Sequence, residues 1–158
     1  MDVGSWTDWA VAVAGGAAAL TGLLFVAISI NLEAILSFKL LPLRAASTLV
    51  LLTVVLLSGL AVLIPQSLPT LGVELWVLTG MLIAMLVRYF IVRHLVDKPT
   101  WLVVPILVVF LPTALFAVAG ALAVADNLDA LYFAAGAVGF GIAGAVLNVW
   151  VLMVEIKR

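Results

Sequence analysis

Four stretches of this chain run without one charged side chain for longer than a bilayer is thick: Trp9 to Leu32, Ala45 to Val73, Pro99 to Ala125 and Ala130 to Val154. A helix rises about 1.5 Å per residue, so about 20 apolar residues cover the hydrocarbon core. A fifth stretch, about Gly72 to Val96, has the same character but holds Glu74 near one end and Arg88 two thirds of the way along, and is the poorest span of the five. The chain is 67% hydrophobic and 9% charged, whereas soluble domains run at about 45–50% and about 25%. An ordinary soluble domain is excluded, and with no long polar segment the 158 residues form a single transmembrane domain, 1–158. The expected fold is an all-α integral membrane bundle of five transmembrane helices, at about 9–35, 44–64, 72–95, 101–124 and 130–154.

Basic residues set the expected orientation. With five helices, Lys39 and Arg44 follow the first, Arg88, Arg93 and Lys98 surround the end of the third, and Lys157 and Arg158 follow the fifth, all on one side. The other side receives Asp2, Asp8, the uncharged turn Pro65-Gln66-Ser67-Leu68-Pro69-Thr70 and the acidic turn Asp126-Asn127-Leu128-Asp129. Lys and Arg are retained in cytoplasmic loops, so the N-terminus is expected outside and the C-terminus in the cytoplasm. A four-helix count would split the basic clusters. The start of the chain is acidic where a secretory signal is basic, so its first apolar segment is expected to be kept.

Local signals agree with these spans. Ser5 followed by Asp8 is a capping-box-like helix opening. Trp6, Trp9, Trp76, Trp101 and Trp150 fall near predicted ends, where indole rings suit the headgroup region. Asp126, Asn127 and Asp129 precede the fifth helix and suit capping of its free N–H groups; an external cation site would need more carboxylates.

Lipid gives helices no hydrophobic reason to associate, so contact faces are built from small residues. The first helix carries Gly15, Ala18, Ala19, Gly22 and Ser29 at helical spacing, and the fifth carries Ala134, Ala137, Gly141, Gly144 and Asn148. Gly15, Gly22, Gly141 and Gly144 are the candidate packing residues, either within one chain or between chains. In the fourth helix, Pro105 lies near the start and Pro112 near the middle, where the ring frees the carbonyl of Val108 and predicts a kink.

The search for chemistry returns little. There is no cysteine, and His94 is the single histidine, so no metal site is assembled. A literal G-x-G-x-x-G at Gly139, Gly141 and Gly144 lies inside a continuous apolar segment and lacks the preceding strand that nucleotide binding requires, so it reads as packing. No nucleophile and base, and no pair of carboxylates, is forced together. The expectation is a non-enzyme with no catalytic, cofactor-binding or metal-binding residues and no cofactor. The polar residues left over gather at the cytoplasmic ends of helices: Asn31, Glu33, Arg88 and Asn148, with Glu155 nearby. An ionisable group inside a membrane is a functional lead by default. Arg88 shares a helical face with Glu74, Met81 and Met85, a face expected to point into protein. It either pairs with Glu33 or snorkels to the headgroups along its flexible stem.

The stretch Gly22-Leu-Leu-Phe-Val-Ala-Ile-Ser-Ile-Asn-Leu-Glu-Ala-Ile-Leu36, followed by Leu41-Pro-Leu-Arg-Ala-Ala-Ser-Thr-Leu49, resembles uncharacterised small polytopic inner-membrane proteins of bacteria, especially actinobacteria. The resemblance implies a multi-pass protein of the bacterial inner membrane, brings no known activity, and draws attention to Asn31, Glu33 and Arg44. Two functional classes follow. One is a structural or regulatory subunit that self-associates or packs into a larger membrane complex; the alternative is a small homo-oligomeric channel or transporter for an ion or small solute. The expected partners are the lipid bilayer and other membrane-embedded chains, and not nucleic acid.

Overall fold

The computed structural model describes residues 3–38, 41–93 and 103–156. Asp2, Lys39, His94, Asp97, Lys98, Trp101, Lys157 and Arg158 lie outside the described residues, as do the side chains of Arg93, Pro105 and Glu155. Among the described residues every regular element is helical: a 3₁₀ turn at Val3–Trp6, then α1 (Thr7–Ile30), α2 (Leu32–Ser37), α3 (Leu41–Leu63), α4 (Leu68–Arg93), α5 (Val103–Val124) and α6 (Ala130–Ile156). Five of them, all but α2, are long and apolar enough to cross a membrane. The segment with Glu74 and Arg88 is among the five, as the 26-residue α4.

Two boundaries differ from the sequence reading. The first helix does not run to residue 35; it ends at Ile30, and α2 follows after a break at Asn31. The Asn31 side chain donates to the carbonyl of Ala27 at 2.9 Å, the local competition with the helix ladder that asparagine offers. At the other end a 3₁₀ turn, Val3–Trp6, precedes α1, whose N-cap position is Trp6.

Short connections make successive long helices antiparallel. α3, α4, α5 and α6 form a four-helix bundle in which each packs on the next and α6 closes back on α3. α1 is added to the outside, against α3. This makes α3 the most enclosed helix: Leu51, Leu52, Val54 and Val55 are buried, as are the hydroxyls of Ser47, Thr48 and Ser58. α1 is the least enclosed, with Leu23, Phe25 and Val26 turned outward.

Glycine sets the closest approaches. A methyl group at Gly72 of α4 would sit 2.7 Å from the backbone nitrogen of Val124 on α5, and one at Gly120 would collide with the ring of Trp76. On α6, a methyl at Gly141 would come within 2.9 Å of Val55, and one at Gly144 within 2.6 Å of Val108. α5 continues through Pro112, and the carbonyl of Val108, which that proline deprives of its helical donor, lies against Gly144. Gly141 and Gly144 thus sit at helix contacts within the chain. Gly15 and Gly22 do not: both are exposed, with nothing close to where a side chain would begin.

Candidate functional site

The antiparallel order gathers the described ionisable residues at the two ends of the bundle; between them the buried polar side chains are hydroxyls such as Thr79 and Thr113, each bonded back to its own helix. One end carries Arg44 at the start of α3 and Arg88 near the end of α4; it is the basic end. The other carries Asp8, Glu74, Asp126 and Asp129.

At the basic end the polar residues that come together lie on α3, α4 and α6. Ser47 and Tyr89 share a hydrogen bond of 2.7 Å across α3 and α4, with both side chains fully enclosed. The hydroxyls of Ser47 and Thr48 also donate to the carbonyl of Arg44, at 2.8 and 2.9 Å. The Arg44 side chain is only 6% exposed. Asn148 enters from α6. Gly141 meets Leu51 and Val55, and two turns further along this antiparallel pair Asn148 comes level with Arg44 and Thr48. It is 3% exposed, and its Nδ2 donor has no hydrogen-bond partner among the described residues.

Of the four residues nominated at this end, Asn148 alone is enclosed among these groups. Asn31 forms the break between α1 and α2, Glu33 is exposed on α2, and Arg88 is exposed on α4. No salt bridge joins Arg88 to Glu33 among the described residues; their helices are not neighbours, because α3 stands between them. The face of α4 that holds Arg88 is also divided, with Met85 buried and Met81 exposed. Ser47, Thr48 and Tyr89 are the residues sequence reasoning missed. Their signal was helical spacing: positions 44, 47, 48, 51, 55 and 58 fall on one broad face of α3, so its hydroxyls point inward with its buried leucines and valines.

At the opposite end the turn between α3 and α4 is tied by Gln66. Its amide nitrogen, Nε2, donates both to the carbonyl of Ala61 at 2.9 Å, which also takes the N–H of Ile64 at the end of α3, and to Oε2 of Glu74 at 2.8 Å. Ser67 then caps α4, its hydroxyl taking the N–H of Thr70 at 3.4 Å. Across the same end Trp6 packs edge-on against Trp9 and Tyr132, with ring centroids 5.5 and 5.0 Å apart, which ties the start of α1 to the start of α6. Trp76, expected at a helix end, lies two turns into α4 and donates to the carbonyl of Ala117 at 3.4 Å.

Below the aromatic contact α1 and α6 diverge and leave a groove of about 500 Å³, floored by Leu52 and walled by Leu20, Leu24, Ala145, Val149 and Trp150. A second groove, of about 450 Å³, runs between α3 and α4 beside Glu74. Between the two polar ends the interior is closed by Val54, Val55, Leu78, Leu82 and Phe116, all buried. Among the described residues no three His, Cys, Asp or Glu side chains converge on a metal-sized site.

Five long apolar helices around a largely apolar interior, with the described ionisable side chains held to the two ends, define the chain as a multi-pass α-helical membrane protein. Comparison with protein families, with curated proteins and with solved structures finds no match to this chain.

Proposed function

We propose that the protein is a non-enzymatic structural or regulatory subunit of a membrane assembly, oriented with its basic end in the cytoplasm, and that α1 is the helix it offers to other chains. The observation that carries this reading is the outward face of α1. Gly15, Gly16 and Gly22 are exposed with no atom near the place of a Cβ, and Ala12, Ala18 and Ala19 are exposed with them. Gly15 with Ala19, and Ala18 with Gly22, repeat the small-xxx-small spacing that lets membrane helices approach closely. Inside the chain the same residue type is used for contact at Gly72, Gly120, Gly141 and Gly144, whereas on α1 it faces outward. The absence of described ionisable side chains from the middle of the bundle supports a subunit over a transporter that acts as a single chain, since a hydrophilic path is the usual mark of the latter. The bacterial inner membrane is the setting this reading adopts.

The test is self-association in lipid. Energy transfer between two labelled populations reconstituted at a low protein-to-lipid ratio should be strong for the native chain. It should fall at least tenfold for Gly15→Leu/Gly22→Leu, while helix content and thermal stability stay unchanged. Transfer that is absent in the native chain, or equal in both proteins, overturns α1 as the contact.

A further inference from the structure

In the α3–α4 turn Glu74 serves as the acceptor for Gln66, a task that a neutral oxygen would also fill and that does not account for its charge. It lies six residues past the start of α4, about 9 Å along the helix axis and beyond the first turn, where an acidic side chain would complement the helix dipole. Its one hydrogen-bond partner among the described residues is the neutral amide of Gln66. The described arginines belong to the opposite end, Arg88 being about 21 Å further along the same helix. The carboxylate is therefore oriented but not neutralised, in a segment where charge is costly and is usually paired or functional.

It also stands in a particular place. The groove of about 450 Å³ between α3 and α4 is lined by Leu57, Leu60, Ala61, Ile64, Val73, Val77 and Leu78, and Glu74 is the one polar side chain in the lining. Val73 and Ile64 flank the carboxylate at the acidic end, while Val77, Leu57 and Leu60 continue the trough about one turn toward mid-membrane. The side chains around the mouth, Leu57, Leu60, Ile64, Val73 and Val77, are exposed at the bundle surface, so the groove opens sideways to lipid. An apolar trough with one uncompensated negative charge near its shallow end is complementary to a molecule of the reverse design. Such a molecule carries one positive charge on an apolar body. Gln66 holds the group in place, since its two hydrogen bonds tie one carboxylate oxygen to the end of α3 and leave the other without a described partner.

We propose that this groove is a binding site for a lipophilic monovalent cation of the quaternary onium type, which enters from the bilayer and places its charge against Glu74. The site lies between α3 and α4, away from α1, and goes beyond the assembly role without depending on it.

Tetraphenylphosphonium is the probe, with the neutral triphenylphosphine oxide as its control, and the full chain in phosphatidylcholine nanodiscs as the receptor. Native protein should bind the cation saturably, and Glu74→Gln, which keeps the shape and a hydrogen bond to Gln66, should weaken it at least tenfold. Gln66→Ala should weaken it several-fold, and Val77→Trp, which fills the trough, should abolish it. The oxide should bind the native protein and Glu74→Gln alike. Helix content and melting temperature of each variant separate loss of the site from loss of the fold. Equal binding of the cation by native protein and Glu74→Gln, or no saturable binding by a folded native protein, overturns the proposal. So does a mass-spectrometric finding, in mixed-lipid discs, that Glu74 retains phosphatidylethanolamine while tetraphenylphosphonium fails to compete, since the groove would then be a headgroup site.

Discussion

Asp126 holds the left-handed backbone conformation, φ 59°, at the end of α5. Two bonds close that end around it: the N–H of Asp126 to the carbonyl of Ala123, and the N–H of Asn127 to the carbonyl of Leu122, both at 3.0 Å. This is the Schellman pattern, in which glycine is the preferred residue at the position Asp126 occupies. Asn127 then accepts the N–H of Asp129 at 2.9 Å and starts α6. The acidic turn is a helix stop followed by a helix start, with the work divided between two residues. Asp126→Gly should therefore raise stability by about 0.5–1 kcal/mol, relieving the left-handed penalty on a residue with a Cβ; a lower midpoint in thermal unfolding would contradict this. Asn148 makes the opposite case, a buried donor with no partner among the described residues. Leaving such a group unpaired costs about 1–3 kcal/mol, so Asn148→Leu should stabilise the isolated chain. Destabilisation would mean that the amide is satisfied by a ligand or another chain. For Ser47 and Tyr89, a double-mutant cycle with Ser47→Ala and Tyr89→Phe should return a coupling of about 0.6 kcal/mol, the average for hydrogen bonds between membrane helices, and no more than about 1.7 kcal/mol.

At the scale of elements, glycines that look alike in the sequence have different surroundings. Gly144 lies against Val108 and its carbonyl, and Gly72 against the backbone of α5, whereas Gly139 and Gly15 face open space. Overpacking a close helix contact costs about 1–3 kcal/mol, while alanine in place of an unencumbered helical glycine gains up to about 1 kcal/mol in propensity. Gly144→Ala and Gly72→Ala should lower the unfolding midpoint in detergent, and Gly139→Ala should leave it equal or higher. If all three behaved alike, glycine would matter here through propensity and not through contact. The break at Asn31 has a related origin. A polar residue amid apolar neighbours reads as a membrane-embedded functional group, but its short side chain reaches the carbonyl of Ala27 and ends the helix.

For the whole molecule, the alternation of the five long helices places Arg44 and Arg88 at one end and Asp126 and Asp129 at the other. The absence of cysteine makes orientation directly testable. With the basic end in the cytoplasm, a membrane-impermeant maleimide should label Asn127→Cys in intact cells and Ser37→Cys only after permeabilisation. The reverse pattern would invert the topology, and labelling of both from outside would break the five-helix count.

Span number, helical class and the segregation of charge were legible in the sequence because each follows from one-dimensional quantities: apolar length against bilayer thickness, and the order of charges along the chain. The small residues Gly15, Gly22, Gly141 and Gly144 were legible as candidates for helix contact, though not whether each would serve this chain or another. Which faces meet was not. The outward turn of Gly15 and Gly22, the separation of Arg88 from Glu33 by α3, the enclosure of Tyr89 with Ser47 and the tie from Gln66 to Glu74 all depend on helix order and rotation about each helix axis. In an apolar segment surrounded by lipid, hydrophobicity is nearly uniform around the helix, so the sequence carries little rotational signal. Close steric fit and a few hydrogen bonds set the rotation instead, and these exist only once the helices have packed.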